Sequence, residues 1–196
     1  MIMNIWIGKV AVFIGLVVMV IIRAPHGKRR GKIKAVKSAR GKLEIVVLML
    51  AWLACVILPV LWLVSPLFSF ADYRLHLVPF VAGVVAYSYG LWLFYRAHAD
   101  LATNWSISLD ILENHTLVTN GVYKSIRHPM YAAILLHAIG QVLIASNWLV
   151  GPAYLCDFVL MLELRLGREE QMMREQFGAD YETYMKSTKR IIPGVW

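Results

Sequence analysis

The sequence predicts an all-α integral membrane protein with five transmembrane helices, the last two closed into a helical hairpin. Three observations carry this reading. Apolar residues make up 59% of the 196-residue chain and charged residues only 16%, too few for an ordinary water-facing surface. The apolar residues gather into blocks close to the ~20 residues that an α-helix needs to cross a bilayer. The lysines and arginines behind the net charge of +8 cluster in segments that alternate with those blocks, as they do when all such segments stay on the cytoplasmic side.

Residues 3–22 form the first span, with Lys9 near its outer end, where its stem can reach the interface. The run is long enough to span, has no small-x-small cleavage site and is followed by a basic loop, so it reads as a span and not a signal peptide. The loop, residues 23–42, holds Arg23, Lys28, Arg29, Arg30, Lys32, Lys34, Lys37, Arg40 and Lys42 and no acid. Such a loop is a cytoplasmic anchor on anionic lipid.

The second span is residues 43–64, with Pro59 expected to kink its far end. Residues 65–74 are a short outer turn. The third span, residues 75–95, offers Gly83, Ser88 and Gly90 for close helix packing. Residues 96–130 are polar and too long for a simple connection. The hairpin occupies residues 131–166. Its first arm ends near Trp148, Asn147 and Gly151-Pro152 make the turn, and residues 153–166 form a short second arm. The tail, residues 167–196, is charged and amphipathic. This order divides the chain into residues 1–95, three membrane helices with the basic loop, and residues 96–196, which carry the chemistry. The N-terminus lies outside and the C-terminus in the cytoplasm.

Cys55 and Cys156 both lie in apolar runs and read as small packing residues. No histidines and cysteines stand at zinc-binding spacing, so no metal site is expected. The basic excess beside membrane spans is an orientation signal and does not call for nucleic acid. Phosphate-loop and dinucleotide-binding glycine motifs are absent. Any nucleotide-like cofactor would have to lie among loops and helix ends.

Three polar pieces converge on the cytoplasmic face. In the first, Asn104 caps a turn and Trp105 sits in the interfacial aromatic belt. In the second, residues 115–131, Gly121 serves a turn and Pro129 opens the fourth helix, where its missing N–H costs nothing. Arg127 and His128 then sit at a helix N-terminus that favours an anion such as a carboxylate or phosphate. Lipid-headgroup contact for Arg127 and a capping role for His128 are the plainer alternatives.

In the third, Arg165 and Glu169 share one helical face, with Glu170 one step round. An exposed ion pair of this kind is worth little. Arg165 and Glu163, however, lie inside an apolar run, where an unpaired charge is expensive. Farther on, Phe177, Tyr181 and Tyr184 make a stripe expected to pack against the membrane face.

The blocks NW at Asn104-Trp105, LVTNGVYKSIRHPMY at residues 117–131, SNW at residues 146–148 and REEQMMREQFGADYETYMKSTKRIIPGVW at residues 168–196 resemble the isoprenylcysteine carboxyl methyltransferase (ICMT) family. Their order and spacing match from about residue 96 to the end, and the chain is most similar to the short, five-span prokaryotic members. The resemblance implies an S-adenosylmethionine-dependent enzyme of the prokaryotic plasma membrane. Its cofactor pocket would be cytoplasmic and closed by the C-terminal tail, and its lipid-modified substrate would enter from the bilayer. Carried over by motif, His115, Leu117, Val118, Gly121, Tyr123, Arg127, His128 and Tyr131 would contact the cofactor. Arg165 and Glu169 would stand at the reaction centre, Arg165 orienting the substrate carboxylate and Glu169 holding Arg165 or the cofactor's positive end. Arg190 matches a tail arginine, and His137 and Gln141 would line the pocket. Phospholipid or amine N-methyltransferases and NADPH-dependent lipid reductases carry related C-terminal halves and stay open as alternatives. A non-enzymatic membrane adaptor would leave Arg165, Glu169 and Arg127-His128 without a reason.

Overall fold

The computed structural model describes residues 1–30, 33–38, 41–108 and 110–196, without the side chains of residues 30, 37 and 38. Of the basic loop, Lys32 and Arg40 and the side chains of Arg30 and Lys37 thus lie outside the described residues.

A two-residue strand β1 (Ile2–Met3) leads into helix α1 (Ile5–Arg30). Asn4 Oδ1 accepts from the Trp6 N–H at 2.9 Å and satisfies one of the donors left open at the helix start. The helix runs eight residues past the expected end at Ile22, through Pro25, so the first part of the basic loop is helical. Strand β2 (Ala35–Ser38) follows.

The second apolar run is continuous from Lys42 to Val64 but is not uniform: α2 (Lys42–Trp52), a π-helical turn Leu53–Ile57, and α3 (Leu58–Val64). Pro59 near the start of α3 has no N–H, so a carbonyl one turn back loses its usual donor. The wider turn takes up that mismatch, with the Leu58 N–H bonding Leu53 O. It also turns Cys55 inward, where it is buried.

Strand β3 (Leu75–His76) pairs antiparallel with β1, and α4 (Leu77–Leu101) comes next. Strand β4 (Asp110–Leu112) pairs antiparallel with β2, so the basic loop folds back onto the segment after α4. Helix α5 (Pro129–Ile144) starts at Pro129, as the sequence predicts.

The connection to α6 differs from expectation. Helix α6 (Val150–Phe177) is one 28-residue helix, with Gly151 and Pro152 inside its first turn. The turn is made upstream at Asn147, one of the residues expected to make it, and without Gly151-Pro152. Asn147 Oδ1 accepts from the Leu149 and Val150 N–H groups at 3.0 Å each, while its Nδ2 donates to Phe68 O and Asp72 Oδ1. A proline in a first helical turn forfeits no bond, so Pro152 does not break the helix. The second arm does not end at Leu166 either. It runs on until Gly178, whose φ of +52° turns the chain into α7 (Ala179–Ser187).

Among the described residues, three helical runs are long and apolar enough to cross a membrane, at 5–29, 42–64 and 77–104, and α5 is a shorter apolar helix. Large apolar side chains such as Trp6, Phe13, Met49, Trp52 and Val85 point outward, a surface suited to lipid and not to water. The chain is an integral membrane protein.

The tightest packing is between α4 and α5. A Cβ built on Gly83 would lie 2.7 Å from Ile144 Cγ1, and one on Gly140 2.9 Å from Gly83 O, so backbone meets backbone at this crossing. Gly90 joins the same seam, whereas Ser88 is exposed and does not. At one end of the bundle β1 meets β3, and Asp72 bridges Asn147. There Lys9 Nζ donates to Trp62 O at 2.7 Å, and Trp62 Nε1 to Asp72 Oδ1 at 2.7 Å. At the other end lie the β2–β4 pair and the tail, with Ile126 bridging Lys189.

Candidate active site

A cavity of about 320 Å³ runs from the apolar interior of the bundle to the end where β2, β4 and the tail meet. Leu48, Trp52, Cys55 and Val56 line its apolar part, and His115, Arg127, His128 and Glu169 its polar part. Helix α6 forms one wall. Tyr154, Asp157, Met161, Arg165, Glu169 and Met172 recur every three or four residues, hence on one helical face, and all line the cavity. At 1.5 Å per residue, the wall from Asp157 to Glu169 is ~18 Å long.

Arg165 sits midway and is 8% exposed. Its Nη2 lies 3.1 Å from Glu44 Oε1 on α2 and donates to Ile107 O at 3.3 Å. Oε1 forms no hydrogen bond, so the contact with Glu44 is a charge pair without ideal hydrogen-bond geometry. Nη1 has the Met161 sulfur at 3.9 Å, and Nε has no partner among the described residues. The guanidinium is thus held on one side and keeps donors on the other.

Glu169, one turn on, is held by other groups than Arg165. Tyr131 OH donates to its Oε2 at 2.7 Å, and His128 Nδ1 is 3.7 Å from its Oε1. Burial alone would raise this carboxyl, but the His128 and Tyr131 contacts outweigh burial and hold it below its ordinary value.

Glu170 points away to a different task. It is 2% exposed and receives Arg127 Nε and Nη2 at 3.2 and 3.0 Å, and Arg190 Nη2 at 2.9 Å. His128 Nε2 lies 3.4 Å from it. Burial would raise this carboxyl too, yet the three cations keep it well below the carboxylate range. For His128, burial would lower the imidazole, and the two glutamates instead raise it above its ordinary value.

Arg127 also donates through Nη1 to the carbonyls of Met185 and Thr188. The Arg127 and His128 N–H groups bond Lys189 O and Arg190 O at 2.7 and 2.9 Å. The RHP segment therefore latches the C-terminal tail. Its arginine is engaged by Glu170 and tail carbonyls instead of facing a free anion, and His128 makes no capping side-chain bond.

Nine of the ten residues singled out from the sequence line this cavity: His115, Leu117, Val118, Tyr123, Arg127, His128, Tyr131, Arg165 and Glu169. Gly121 does not. Its φ is +58°, and a Cβ there would meet Asp100 Oδ2, which accepts the Val122 N–H at 2.9 Å. It is a turn glycine that seats Tyr123.

His137 and Gln141 are not at the cavity. His137 stacks on Tyr87 at 3.8 Å, and Gln141 Nε2 donates to Val150 O, both within the helix core. Trp105 is buried instead of sitting in an interfacial belt: its ring is 5.0 Å from His98 and lines the cavity. Asn104 is tied to Thr116 by two 3.0 Å bonds. Tyr181 and Tyr184 pack inward, not on the membrane face. Tyr184 OH donates to Tyr123 O at 2.6 Å, and both rings line the cavity.

Two cavity residues, Arg23 and Asp157, and Glu44, which pairs with Arg165 behind the cavity wall, were not singled out as site residues from the sequence. Each is an ionisable residue in or at the edge of an apolar run, where its cost is itself the signal. Glu44 was detectable as the single acid of the second span. The cavity also draws on α1 and α2, so residues 1–95 do more than hold the rest in the membrane.

Fold and site together define a helical membrane protein with a polar cavity opening into its apolar interior. Residues 84–175, just under half of the chain, match the isoprenylcysteine carboxyl methyltransferase (ICMT) family. It is 30% identical over 89 residues to the protein-S-isoprenylcysteine O-methyltransferase A of Arabidopsis thaliana, covering 45% of each chain. It is 33% identical over 90 residues to the protein-S-isoprenylcysteine O-methyltransferase of Tribolium castaneum, covering 46% of this chain and 32% of that one. The chain thus spans less than half the length of these curated relatives. In fold it is similar to the solved eukaryotic intramembrane Ras methyltransferase ICMT, with a TM-score of 0.51 and 24% identity over 77% of this chain and 50% of that one.

Proposed function

We propose that the protein is a membrane S-adenosylmethionine-dependent methyltransferase that esterifies the carboxylate of a prenylcysteine-like or other lipid-linked acceptor. The observation that carries this is Arg165, a buried guanidinium with donors to spare, set between a polar and an apolar reach of one cavity. The match of residues 84–175 to the ICMT family supports the class of reaction.

The donor set suits the cofactor. S-Adenosylmethionine carries a sulfonium, an amino-acid head and an adenine ring. Glu169 offers a carboxylate whose Oε1 lies 3.7 Å from His128 Nδ1, and Tyr123 and Tyr181 offer aromatic faces. His115, Leu117, Val118, Tyr123 and Tyr131 would hold it, with Gly121 shaping the loop. Arg127 and His128 serve it indirectly, by fixing Glu170 and the tail. When bound, it supplies a methyl group that a carboxylate oxygen takes by in-line displacement, without a general base.

The chain's own part is to bind, orient and desolvate that carboxylate. Arg165 gives planar two-point binding through the guanidinium edge that carries Nε, whose N–H has no partner among the described residues, and the second hydrogen of Nη2. Glu44 fixes the guanidinium and offsets its charge. Trp52, Val56 and their neighbours take the lipid chain. Residues 1–95 anchor the protein and complete the apolar reach, and residues 96–196 carry the reacting groups. A five-span topology with the cavity mouth on the cytoplasmic side of a prokaryotic plasma membrane accords with the basic segments.

Calorimetry on protein in detergent tests the reading. Binding of S-adenosylhomocysteine without binding of NADPH, followed by a base-labile methyl product, is the expected result. NADPH binding, or a base-stable product, would overturn it in favour of reduction or N-methylation.

A further inference from the structure

Among the described residues, nothing answers the carboxyl group of Asp157. It is 8% exposed, lines the cavity, and neither carboxylate oxygen has a hydrogen-bond partner among the described residues. A carboxylate in an apolar layer is expensive unless it is paired or serves a ligand. Arg23, which also lines the cavity, lies over the Trp105 ring at 5.3 Å, its Nε likewise buried and without a partner among the described residues. No ion pair joins the two among the described residues. Unmatched groups of opposite sign on the walls of one cavity complement a ligand that brings both a donor and an anion.

The spacing agrees with a small head group. Asp157 is two turns from Arg165 along α6, about 12 Å by helical rise. Arg165, however, reaches back toward Met161, with Nη1 3.9 Å from its sulfur, so its guanidinium lies about one turn, ~6 Å, from the level of Asp157. A carboxylate and an N–H on the same carbon span such a gap, each with one hydrogen bond at its end.

We propose that Asp157 is a specificity-determining residue: it accepts a hydrogen bond from an N–H group carried beside the acceptor's carboxylate. The site therefore favours an acceptor that carries this N–H over an otherwise identical one that lacks it. This rests on the carboxyl-methylation reading above. Leucine at Asp157 would remove the acceptor, while asparagine would keep one acceptor oxygen. Without the N–H, Asp157 stays buried and unanswered, the arrangement that gives strong rejection of an analogue lacking a hydrogen-bonding group.

The test compares kcat/KM for N-acetyl-S-farnesylcysteine with that of the analogue in which oxygen replaces the amide N–H. The wild-type protein should favour the amide by about tenfold or more. Asp157→Leu should bring the ratio near one, and Asp157→Asn should keep part of it. A wild-type ratio near one overturns the proposal whether or not the variants fold, and so does a ratio that Asp157→Leu leaves intact. Failure of the wild-type protein to methylate either compound would instead sink the carboxyl-methylation reading, a separable outcome.

Discussion

Glu44 on α2 and Arg165 on α6 face each other at 3.1 Å inside the bundle, with side chains 3% and 10% exposed. The pair joins the N-terminal helices to the wall of the candidate site. Removing one member of a buried pair strands the other, at a typical cost of about 3–5 kcal/mol. Because the contact lacks hydrogen-bond geometry, Glu44→Ala should fall at the lower end of that range. Thermal unfolding in detergent measures it. The double variant Glu44→Leu/Arg165→Leu should recover much of the stability and none of the methyl transfer. If it recovered neither, the pair would not be what joins the helices.

Glu170 gathers two arginines and a histidine and so ties α6 to the residues before α5 and to the tail. Glu170→Ala should loosen the chain after Ser187, giving early cleavage there in limited proteolysis. It should also weaken S-adenosylhomocysteine binding by about tenfold or more, since hydrogen bonds to charged groups are worth about 1.5–3 kcal/mol each. Arg190→Ala should do less, because Arg190 is 37% exposed and Arg127 remains. Unchanged proteolysis in Glu170→Ala would show that the tail is held by its backbone bonds alone.

The same cluster sets a pH window. Glu170 is depressed in the folded state, so its stabilisation is present above the ordinary carboxylate range near 4.5 and fades as pH falls below it. His128 is raised, so its contribution is full below its ordinary value of 6.5 and is lost as pH climbs through the elevated folded value. Tail protection should therefore peak between these limits. His128→Asn should flatten the alkaline limb and keep a smaller acid limb, which Arg127 and Arg190 still support, and a pH series of proteolysis or thermal unfolding would resolve the two.

The membrane helices and the grouping of the site residues were legible in the sequence because both follow from short-range rules. An apolar run of spanning length declares a helix, and Pro129 after Arg127-His128 declares a helix start. Two errors came from reading residues as labels. Gly151-Pro152 resembles a turn, but of the residues expected there only Asn147 makes it, held by bonds to Phe68 and Asp72, 79 and 75 residues away. Tyr181 and Tyr184 have the spacing of an interfacial stripe, and only the returning tail shows that they face inward. Arg165 was found, and its partner was not, because Glu44 is 121 positions earlier and nothing local connects them.

Gly121 separates a positioning residue from a ligand. At φ +58° any side chain is strained, and the new Cβ would strike Asp100 as well. Gly121→Ala should lower stability by about 1–2 kcal/mol and weaken S-adenosylhomocysteine binding by displacing Tyr123. Asp100→Ala in that background should remove the collision but not the backbone strain, so rescue should be partial. Full rescue would mean that the collision, and not the conformation, is what fixes glycine there.

The sharpest division of labour is between Arg165 and Tyr131. Arg165→Lys keeps the charge opposite Glu44, and a lysine can still reach a carboxylate, but it loses the planar fork that fixes two oxygens at once. Its kcat should fall by a hundredfold or more, on the order expected when a reacting group is misplaced by about 1 Å, while S-adenosylhomocysteine binding stays within a few fold. Tyr131→Phe removes the 2.7 Å bond to Glu169 Oε2 and frees that carboxylate to turn. Its loss should appear first in cofactor affinity and only secondarily in turnover. Measuring both variants by calorimetry and by single-turnover methyl transfer separates the two roles. Equal losses of cofactor affinity in both would mean that Arg165 belongs to the cofactor end of the cavity and that the acceptor carboxylate is held elsewhere.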